Sequence, residues 1–508
     1  MVTGTDVAVA ATHPLYDAQT QNWQFVADFY AGTQAVKDKG TTYLPATAGH
    51  VLDGITTATD VGMVNYIRYK EFAVVPDYVR EAVESMQGYL HRKPATFELP
   101  DAMKYMLEKA TPSGDSLQML LALITEQQLK SGRVGLLLDL PLQGSVSQLP
   151  YIALYNGDTI LNWDSGVTFG KGNENLNLVV LNESNYRREG FNWKYEYNFR
   201  VLVLGDMEAN EPGEAAYRVG VFGADDNLNN IQFVEPSYKG ERLSEIPFVF
   251  VNSSGNKAEP CDPPLLGLTF LVQSIYRGEA DYRYGLHLQA QDTLVIVNGQ
   301  QDEITRVGAG SKIEVQLGGD AKYIGVSSTG LPEQRLALEA QRREAMQKVG
   351  LLLTSVGSVE SDATLKTKVS SQTITLTSIV TAAATGLQRI LRIQAKWMGE
   401  DPDKVVVVPN TEFIEVVLAG DELVKLAVAK REGVTLSYES IHALMQKRGL
   451  TSMSFADEQQ AIAKEPKPEP DPNLPNSTNS PVNQQTNSTA PGLAEARGVK
   501  DGTSDSRR

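Results

Sequence analysis

Two long helix-forming segments, separated by a short stretch of strand-like sequence, constrain the fold of this chain more than any other feature. The spacing of apolar residues predicts one helix over residues 265–289 and another over residues 333–356. Between them, short apolar runs separated by glycine-rich turns predict strands at 294–297, 313–317 and 323–326. At about 1.5 Å per residue, each helix would be roughly 35–40 Å long. The pattern therefore predicts an elongated helical element interrupted by a small β insert.

A polar segment and a third long helix follow. Residues 357–370 are rich in Ser and Thr, and residues 371–398 carry an apolar stripe typical of an amphipathic helix. A long polar connection between two helices is usually functional or mobile. Its hydroxyl groups and its positive charges can make weak contacts to phosphate without reading sequence. The candidate contact residues in this segment are Thr364, Lys366, Thr367 and Lys368.

The first half of the chain mixes helices with strands. The spacing predicts single helices over residues 68–88 and 117–130, and a buried strand over residues 133–140. Short runs between Gly, Asn and Asp predict β structure over residues 150–250. Alternating aromatic residues predict a half-buried sheet face there, in preference to a base-stacking surface. The rings of that face are Phe191, Trp193, Tyr195, Tyr197 and Phe199.

Composition bounds the class of protein. With 508 residues the chain is expected to form about three or four domains. The net charge of -16 argues against tight or sequence-specific DNA binding, because phosphate neutralisation supplies most of that affinity. This negative net charge is compatible with a protein surface that DNA slides past without binding tightly. We expect no membrane helix and no secretory signal. One cysteine, Cys261, excludes an internal disulfide framework and indicates a reducing cytoplasm.

No residue pattern predicts catalysis, a cofactor or a metal site. The nearest phosphate-loop strings, at residues 166–171 and 308–312, have the wrong spacing or order. The five histidines are too far apart in sequence for a helical ligand pair, and Cys261 has no nucleophile signature around it. The acidic pairs Asp225–Asp226 and Asp401–Asp403 lie in polar stretches and are interpreted as solvated turns.

Several strings, taken in order along the chain, resemble those of tailed-bacteriophage portal proteins, the head-to-tail connector family. The likeness covers most of residues 65–400, and it is carried by the order of the elements more than by any one motif. The strings are GYLHRKP at 88–94, SGDSL at 113–117, SGRVGLLLDLP at 131–141, YN at 155–156 with ILNW at 160–163, EIPFVFVN at 245–252 leading to PPLL at 263–266, a helix with Tyr276, Asp281 and Tyr282, and GGDAKY at 318–323.

The resemblance implies an α+β portal fold with a wing, a helical stem, a small clip, a tunnel loop and a crown, followed by a disordered tail. On that template each part has an expected range. These are the wing at 1–262, the first stem helix at 263–290, the clip at 291–330, the second stem helix at 331–356, the tunnel loop at 357–370, the long helix at 371–400, a returning wing strand and the crown at 401–462, and the tail at 463–508.

The resemblance also implies a function. A ring of identical subunits, typically twelve, would sit at one vertex of the virion after assembly in the host cytoplasm. The expected partners are the terminase large subunit, head-completion or adaptor proteins, the major capsid and scaffolding proteins, and double-stranded DNA passing through without sequence specificity. No enzyme activity, cofactor or membrane partner is expected. Two alternatives remain at this point, namely a virion subunit without a DNA channel and an unrecognised hydrolase.

Overall fold

The computed structural model describes residues 9–140, 149–165, 176–205, 216–223, 233–238, 241–289, 293–297, 318–324, 330–349, 362–413, 428, 437–447 and 451–464. The chain divides into two units, Met1–Ile414 and Glu415–Arg508. The first unit holds the long helices and all of the described strands. The expected tail at 463–508 lies outside the described residues from Glu465 onward.

Nine α-helices of the first unit are described, and three of them are long. They are α1 (Pro14–Ala31), α2 (Thr33–Asp38), α3 (Ala48–Leu52), α4 (Val61–Phe72), α5 (Tyr78–Leu90), α6 (Leu117–Ser131), α7 (Leu266–Gln289), α8 (Gly330–Val349) and α9 (Asp362–Met398). In the second unit, two short helices contact one another, α10 (Tyr438–Lys447) and α11 (Phe455–Lys464).

The described strands of the first unit are short and pair in antiparallel fashion. They are β1 (Thr96–Glu98), β2 (Arg133–Asp139), β3 (Tyr151–Asn156), β4 (Ile160–Asp164), β5 (Leu178–Asn182), β6 (Asn185–Glu189), β7 (Asn192–Glu196), β8 (Phe199–Leu204), β9 (Tyr217–Phe222), β10 (Ser237–Tyr238), β11 (Glu241–Arg242), β12 (Phe248–Asn252), β13 (Thr293–Val297), β14 (Asp320–Ile324) and β15 (Val406–Val408).

Two sheets and several helices enclose the cores. The larger sheet has the order β4-β5-β8-β9 and the smaller one the order β12-β2-β3. Strand β12 is buried on both faces, because Val249 and Val251 pack among α6 and α9 while Phe248 and Phe250 pack towards the larger sheet. The predicted strand at 133–140 is confirmed as β2, the central strand of the smaller sheet. This mixture of helices and antiparallel sheets confirms the α+β class.

Helix α6 forms where the sequence predicts it, and its ends explain why. The Ser116 hydroxyl accepts a hydrogen bond from the Met119 amide and so caps the first turn. Gly132 ends the helix with φ of 73°, a left-handed conformation that glycine adopts without steric cost. The chain can then turn directly into β2. A side chain at Gly132 would also collide with the Cys261 carbonyl oxygen, 2.8 Å from an ideal Cβ.

The single helix predicted over residues 68–88 is wrong. The chain forms α4 and α5 instead, with an extended break between them that contains Pro76. Proline disfavours helical geometry in its predecessor, and this effect outweighs the continuous apolar spacing. Helix α1, in a region where the sequence indicated little, begins at Pro14 and is capped by His13, whose Nδ1 accepts from the Leu15 amide.

One helix meets the length and composition criteria for a membrane span. The segment Ile374–Met398 of α9 is long and apolar enough to cross a membrane by length and composition. More than half of it is buried in the first unit, where Ala383, Leu387 and Ile390 pack in a core with α6 and β2. Burial of this kind is typical of the core helix of a folded domain.

Candidate functional site

The pair formed by α7 and α8 is the candidate functional element, and it matches the two long helices predicted from sequence. Helix α7 begins one residue after the expected start, and α8 begins three residues before its own. The end predicted for the second helix, at 350–356, lies outside the described residues. The two helices contact each other extensively, so the pair is one packed element.

A close apolar contact sets the distance between the two helices. Gly278 of α7 faces Leu338 of α8, and a Cβ built on Gly278 would stand 2.8 Å from Leu338 Cδ2. Leu338, Ala345 and Val349 form the buried stripe of α8. They recur at spacings of seven and four, which place them on one side of a helix.

A buried carboxylate joins the two helices electrostatically. Glu279 of α7 is 3% exposed and accepts a hydrogen bond from Arg283 Nε at 2.6 Å, and it also pairs with Arg342 of α8. The two arginines remain 45% and 38% exposed. A buried carboxylate is costly unless it is paired and hydrogen-bonded. Arg342 therefore helps to fix the position of α8 along α7.

Further hydrogen bonds attach α7 to the N-terminal helices. The Tyr69 hydroxyl of α4 donates to Asp281 at 2.6 Å, and burial together with this bond raises the pKa of Tyr69. The Arg277 guanidinium donates to the Tyr43 carbonyl oxygen at 2.9 Å. These contacts hold one side of α7 against residues 43–69. The helix is therefore anchored independently of α8.

Helix α8 differs from α7 in how little of it is covered. Of its 20 residues, three are buried. Its exposed surface carries alternating charges, including the pairs Arg335–Glu339 and Glu344–Lys348, together with the exposed apolar residues Leu336 and Met346. A helix that is polar over most of its surface gains little stability from its own chain. It is suited to contacts with other molecules.

The insert between α7 and α8 contains a described strand pair. Strand β13 pairs antiparallel with β14, with Thr293 opposite Ile324 at one end and Val297 opposite Asp320 at the other. These strands confirm the run predicted at 294–297 and residues 323–324 of the run predicted at 323–326; β14 begins three residues before its predicted start, and residues 325–326 lie outside the described residues. The run predicted at 313–317 lies outside the described residues, as do both phosphate-loop-like strings and Asp225–Asp226.

The third long helix, α9, begins earlier than predicted. Residues 357–361 lie outside the described residues, and residues 362–370 form the first turns of α9. The boundary predicted at Ser371 is therefore wrong by nine residues. Thr364, Lys366, Thr367 and Lys368 lie in helical backbone. Their proposed contact with DNA remains a prediction.

Helix α9 is held tightly against the smaller sheet. A Cβ on Gly386 would stand 2.4 Å from Val251 Cγ2, so glycine is required for this approach. With its amide oriented to satisfy both ends, Asn256 donates to the Ala382 carbonyl and accepts from the Gly386 amide. The C-terminal half of α9 is thus fixed to β12 and to the loop that follows it.

Groups capable of chemistry do not converge in the described part of the chain. No cluster of three or more metal-binding side chains occurs among the described residues. The Cys261 thiol donates to the Gly132 carbonyl at 3.1 Å and lies 3.0 Å from Ser253 Oγ, which indicates a structural role. Asp401 caps a short turn by accepting from the Asp403 amide, as expected of a solvated turn.

Two arginines, the buried Arg133 and the half-buried Arg200, were not singled out from the sequence. Arg200 bridges Asp139 and Glu183, which ties the smaller sheet to the larger one. Arg133 lies between the rings of Trp163 and Phe250, 3.9 and 4.4 Å from their centroids, and burial lowers its pKa to about 9. Ring faces stabilise a desolvated cation. Both residues therefore stabilise the fold. The sequence signal that could have identified them is a charged residue at the start of an apolar strand (Arg133) or within one (Arg200).

The expected half-buried aromatic face is wrong. Phe191, Trp193, Tyr195 and Tyr197 are exposed on or beside the hairpin β6–β7, and Phe191 is fully so, whereas Phe199 is buried in β8. The alternation continues through a change from a solvent-exposed hairpin to a packed sheet. Sequence periodicity alone does not reveal such a change.

Comparisons with known proteins place this geometry in context. Residues 264–398, which span α7 to α9, match a family model described as a domain of unknown function, DUF4055. No curated protein matches the chain. Among the solved structures that match, two come from the neck of a GTA (gene transfer agent) particle.

The neck of an empty GTA particle computed with C6 symmetry matches with a TM-score of 0.38 and 13% identity, covering 80% of this chain and 99% of that chain. The neck of a native GTA particle computed with C12 symmetry matches with a TM-score of 0.36 and 12% identity, covering 78% and 98%. Because both TM-scores are low, the functional proposal rests on the residues of this chain.

Proposed function

We propose that this chain is the structural subunit of a portal ring in a tailed-phage-like virion. The ring would join head to tail and form the channel for DNA packaging and ejection. The observation that carries the proposal is the α7–α8 pair. One of its helices is anchored to the body of the subunit, and the other leaves most of its surface uncovered.

The energetics of α8 favour a role in assembly. A 20-residue helix with three buried side chains is poorly stabilised by its own subunit, because tertiary packing supplies most helix stability in proteins. Buried Glu279 nevertheless fixes its position on α7. An uncovered but rigidly held helix is well suited to pack against a neighbouring copy. Repetition of that contact around an axis would make a ring of paired helices.

The charge of the chain suits passage of DNA. A net charge of -16 disfavours strong phosphate contacts, and such contacts would retard a moving duplex. Lys366 and Lys368 near the start of α9 would provide limited positive charge at one level of the channel. Movement of DNA would then depend on an external motor, and the proposed subunit itself is not an enzyme.

The remaining parts of the proposal concern location and partners. The ring would occupy one vertex of the capsid. The β13–β14 insert would face the terminase large subunit during packaging and head-completion proteins afterwards. Capsid and scaffolding proteins would surround the body of the subunit. Twelve copies, as the sequence resemblance implies, are the expected number.

Electron microscopy of the purified full-length protein, with light scattering for its mass, tests the proposal. A ring with a central hole wide enough for a DNA duplex, about 20 Å, is expected. A compact monomer, or an oligomer without a hole, would contradict it.

A DNA packaging assay with assembled heads separates a portal from a virion subunit without a channel. Heads that package DNA equally well without this protein would favour the channel-free subunit. Loss of packaging on omission, with heads otherwise intact, is expected.

A further inference from the structure

Residues 9–13, here called the N-terminal arm, lie along one edge of the larger sheet. Among the described strands of that sheet, β4 occupies an edge position. The His13 amide donates to the Leu161 carbonyl oxygen of β4 at 2.9 Å, and the Asn162 side chain donates to the Ala11 carbonyl oxygen at 3.2 Å. The first residue of the arm packs against the apolar cluster that contains Leu161. The arm therefore covers part of a strand edge.

The side chain of His13 fixes the point at which the arm becomes α1. Its Nδ1 accepts a hydrogen bond from the Leu15 amide at 3.1 Å and so caps the helix. Its ring stacks on Trp163 of β4, with the ring centroids 4.1 Å apart and the planes 16° from parallel. One residue thus joins the arm, the start of α1 and β4 through its amide, its ring nitrogen and its ring face.

The helix cap requires a neutral imidazole. A ring nitrogen that accepts a hydrogen bond carries no proton, and protonation would turn Nδ1 of His13 into a donor that faces the Leu15 N–H group. A positive charge at the start of a helix also opposes the helix dipole. Protonation of His13 would therefore remove the cap and put repulsion in its place.

The charged groups around the imidazole act in both directions. Arg133 of β2 lies 3.9 Å from the centroid of the tryptophan ring on which the imidazole stacks, so the two groups occupy opposite faces of that ring. Asp164 in β4, Asp17 in α1 and Glu259 after β12 favour protonation, as does the ring face itself. Burial, followed by the charge of Arg133, outweighs them and lowers the pKa of His13 below 6.5.

We propose that His13 makes the attachment of the N-terminal arm to β4 sensitive to pH, so that the arm and the first turn of α1 are held at neutral pH and released in mild acid. In the released arm the imidazole is exposed to water and binds a proton with its ordinary affinity. Proton binding therefore favours the released state. The attachment is complete above about pH 6.5 and weakens as the pH falls towards the lower pKa of the attached state.

Release of the arm would uncover part of the β4 edge. The Leu161 carbonyl oxygen would lose its donor, and the Asn162 side chain would lose its acceptor. An unpaired strand edge can pair with an extended segment of another chain. In acid the larger sheet would therefore gain a site for strand addition. The device acts within one subunit, so it neither requires nor excludes the proposed ring.

Hydrogen–deuterium exchange of the full-length protein at pH 7.5 and pH 5 tests the device. Protection factors remove the intrinsic dependence of amide exchange on pH, and strand β8 of the same sheet serves as the internal reference. Between the two pH values, protection of residues 9–20 should fall by about threefold or more relative to that of β8. The comparison with β8 separates local release of the arm from a general loss of stability.

Substitution of His13 assigns the proton to this residue. His13→Asn and His13→Ser each supply a good helix cap that does not titrate between pH 5 and pH 7.5, so either should abolish the acid-dependent loss of protection. His50→Asn is the matched control and should keep it. His50 Nδ1 also accepts from an amide, that of Thr47, and its pKa is likewise lowered, but it lies in α3. Circular dichroism of each variant establishes that it is folded.

Two results would overturn the proposal. Equal relative protection of residues 9–20 at both pH values in the wild type would show that the arm is not released by acid. A loss of protection that persists in both His13 variants would assign the proton uptake to another group. Neither result bears on ring formation, which electron microscopy tests separately.

Discussion

Leu338 of α8 rests directly over Gly278 of α7, with no room for a larger side chain between them. Gly278→Val should therefore force the helices apart and lower the free energy of unfolding by about 1–3 kcal/mol. Gly267→Val in the same helix, where no heavy atom lies within 4 Å of the added Cβ, is the matched control and should have a smaller effect. Urea denaturation followed by tryptophan fluorescence measures both.

A double substitution separates this clash from backbone effects of valine. Leu338→Ala removes the opposing side chain, so Gly278→Val should cost less in that background. We expect a favourable coupling of about 0.5–3 kcal/mol between the two sites. Strictly additive effects would show that the two residues do not limit the helix spacing.

The buried ion pair between the helices should matter more than the exposed ones. Glu279→Gln loses the charge that Arg283 and Arg342 share, and it should lower the free energy of unfolding by about 1–2 kcal/mol. Both arginines keep access to water, which makes the loss smaller than for a fully enclosed pair. Glu344→Gln, in an exposed pair with Lys348, should cost less than about 0.5 kcal/mol. Equal losses for the two variants would contradict the assigned role of Glu279.

Histidine burial predicts loss of stability in mild acid. Burial lowers the pKa of His91 below 6.5, and the ring lies 2.8 Å from Thr125 Oγ1. The unfolded chain therefore binds the proton more readily, so this contribution is complete above pH 6.5 and is lost as the pH falls towards the folded pKa. Burial also lowers the pKa of His13 and His50.

His91→Gln tests this effect. The variant should show a weaker fall in the urea midpoint between pH 7.5 and pH 5 than the wild type does. His287→Gln serves as the comparison for this acid dependence; His287 lies on α7, beside Phe72 of α4. An acid dependence unchanged by His91→Gln would assign the proton uptake to other groups.

The lysines at the start of α9 give a functional prediction. Lys366→Ala with Lys368→Ala should leave rings intact and should alter DNA translocation or retention, most strongly at low salt where charge contacts are least screened. Positions two apart in a helix are separated by about 200° around its axis. One of the single substitutions should therefore account for most of the effect. Packaging and retention equal to wild type across a salt series would refute the channel contact.

Elements defined by local signals were predictable from the sequence. Helix α6 has its serine cap and terminal glycine, and α7 follows three prolines and carries a long apolar stripe. Strand β2 is a short apolar run ended by Pro141. In each case the sequence signal and the tertiary burial agree.

Some errors overlooked local proline signals, and the others arose where tertiary context decides. Pro76 splits a continuous apolar pattern, and α1 was missed although Pro14 offers a helix start. The buried pair Glu279–Arg342 joins positions 63 residues apart, and no local spacing indicates such a pairing. The aromatic alternation around Trp193 would be the same on a covered face and on an exposed one. That the hairpin is exposed could therefore be learned only from the structure.

The pairing of β1 with β15 has a consequence for synthesis of the chain. Phe97 lies opposite Val407, so a strand made early gains its partner only after about 300 further residues have been added. Closing so distant a contact is slow, and unpaired strand edges promote aggregation in the meantime. The β1–β15 pairing closes a loop of the chain that contains α7, α8 and the β13–β14 insert between them. A protease cut in that insert would therefore leave two fragments still held together, and a nicked subunit should survive gel filtration intact.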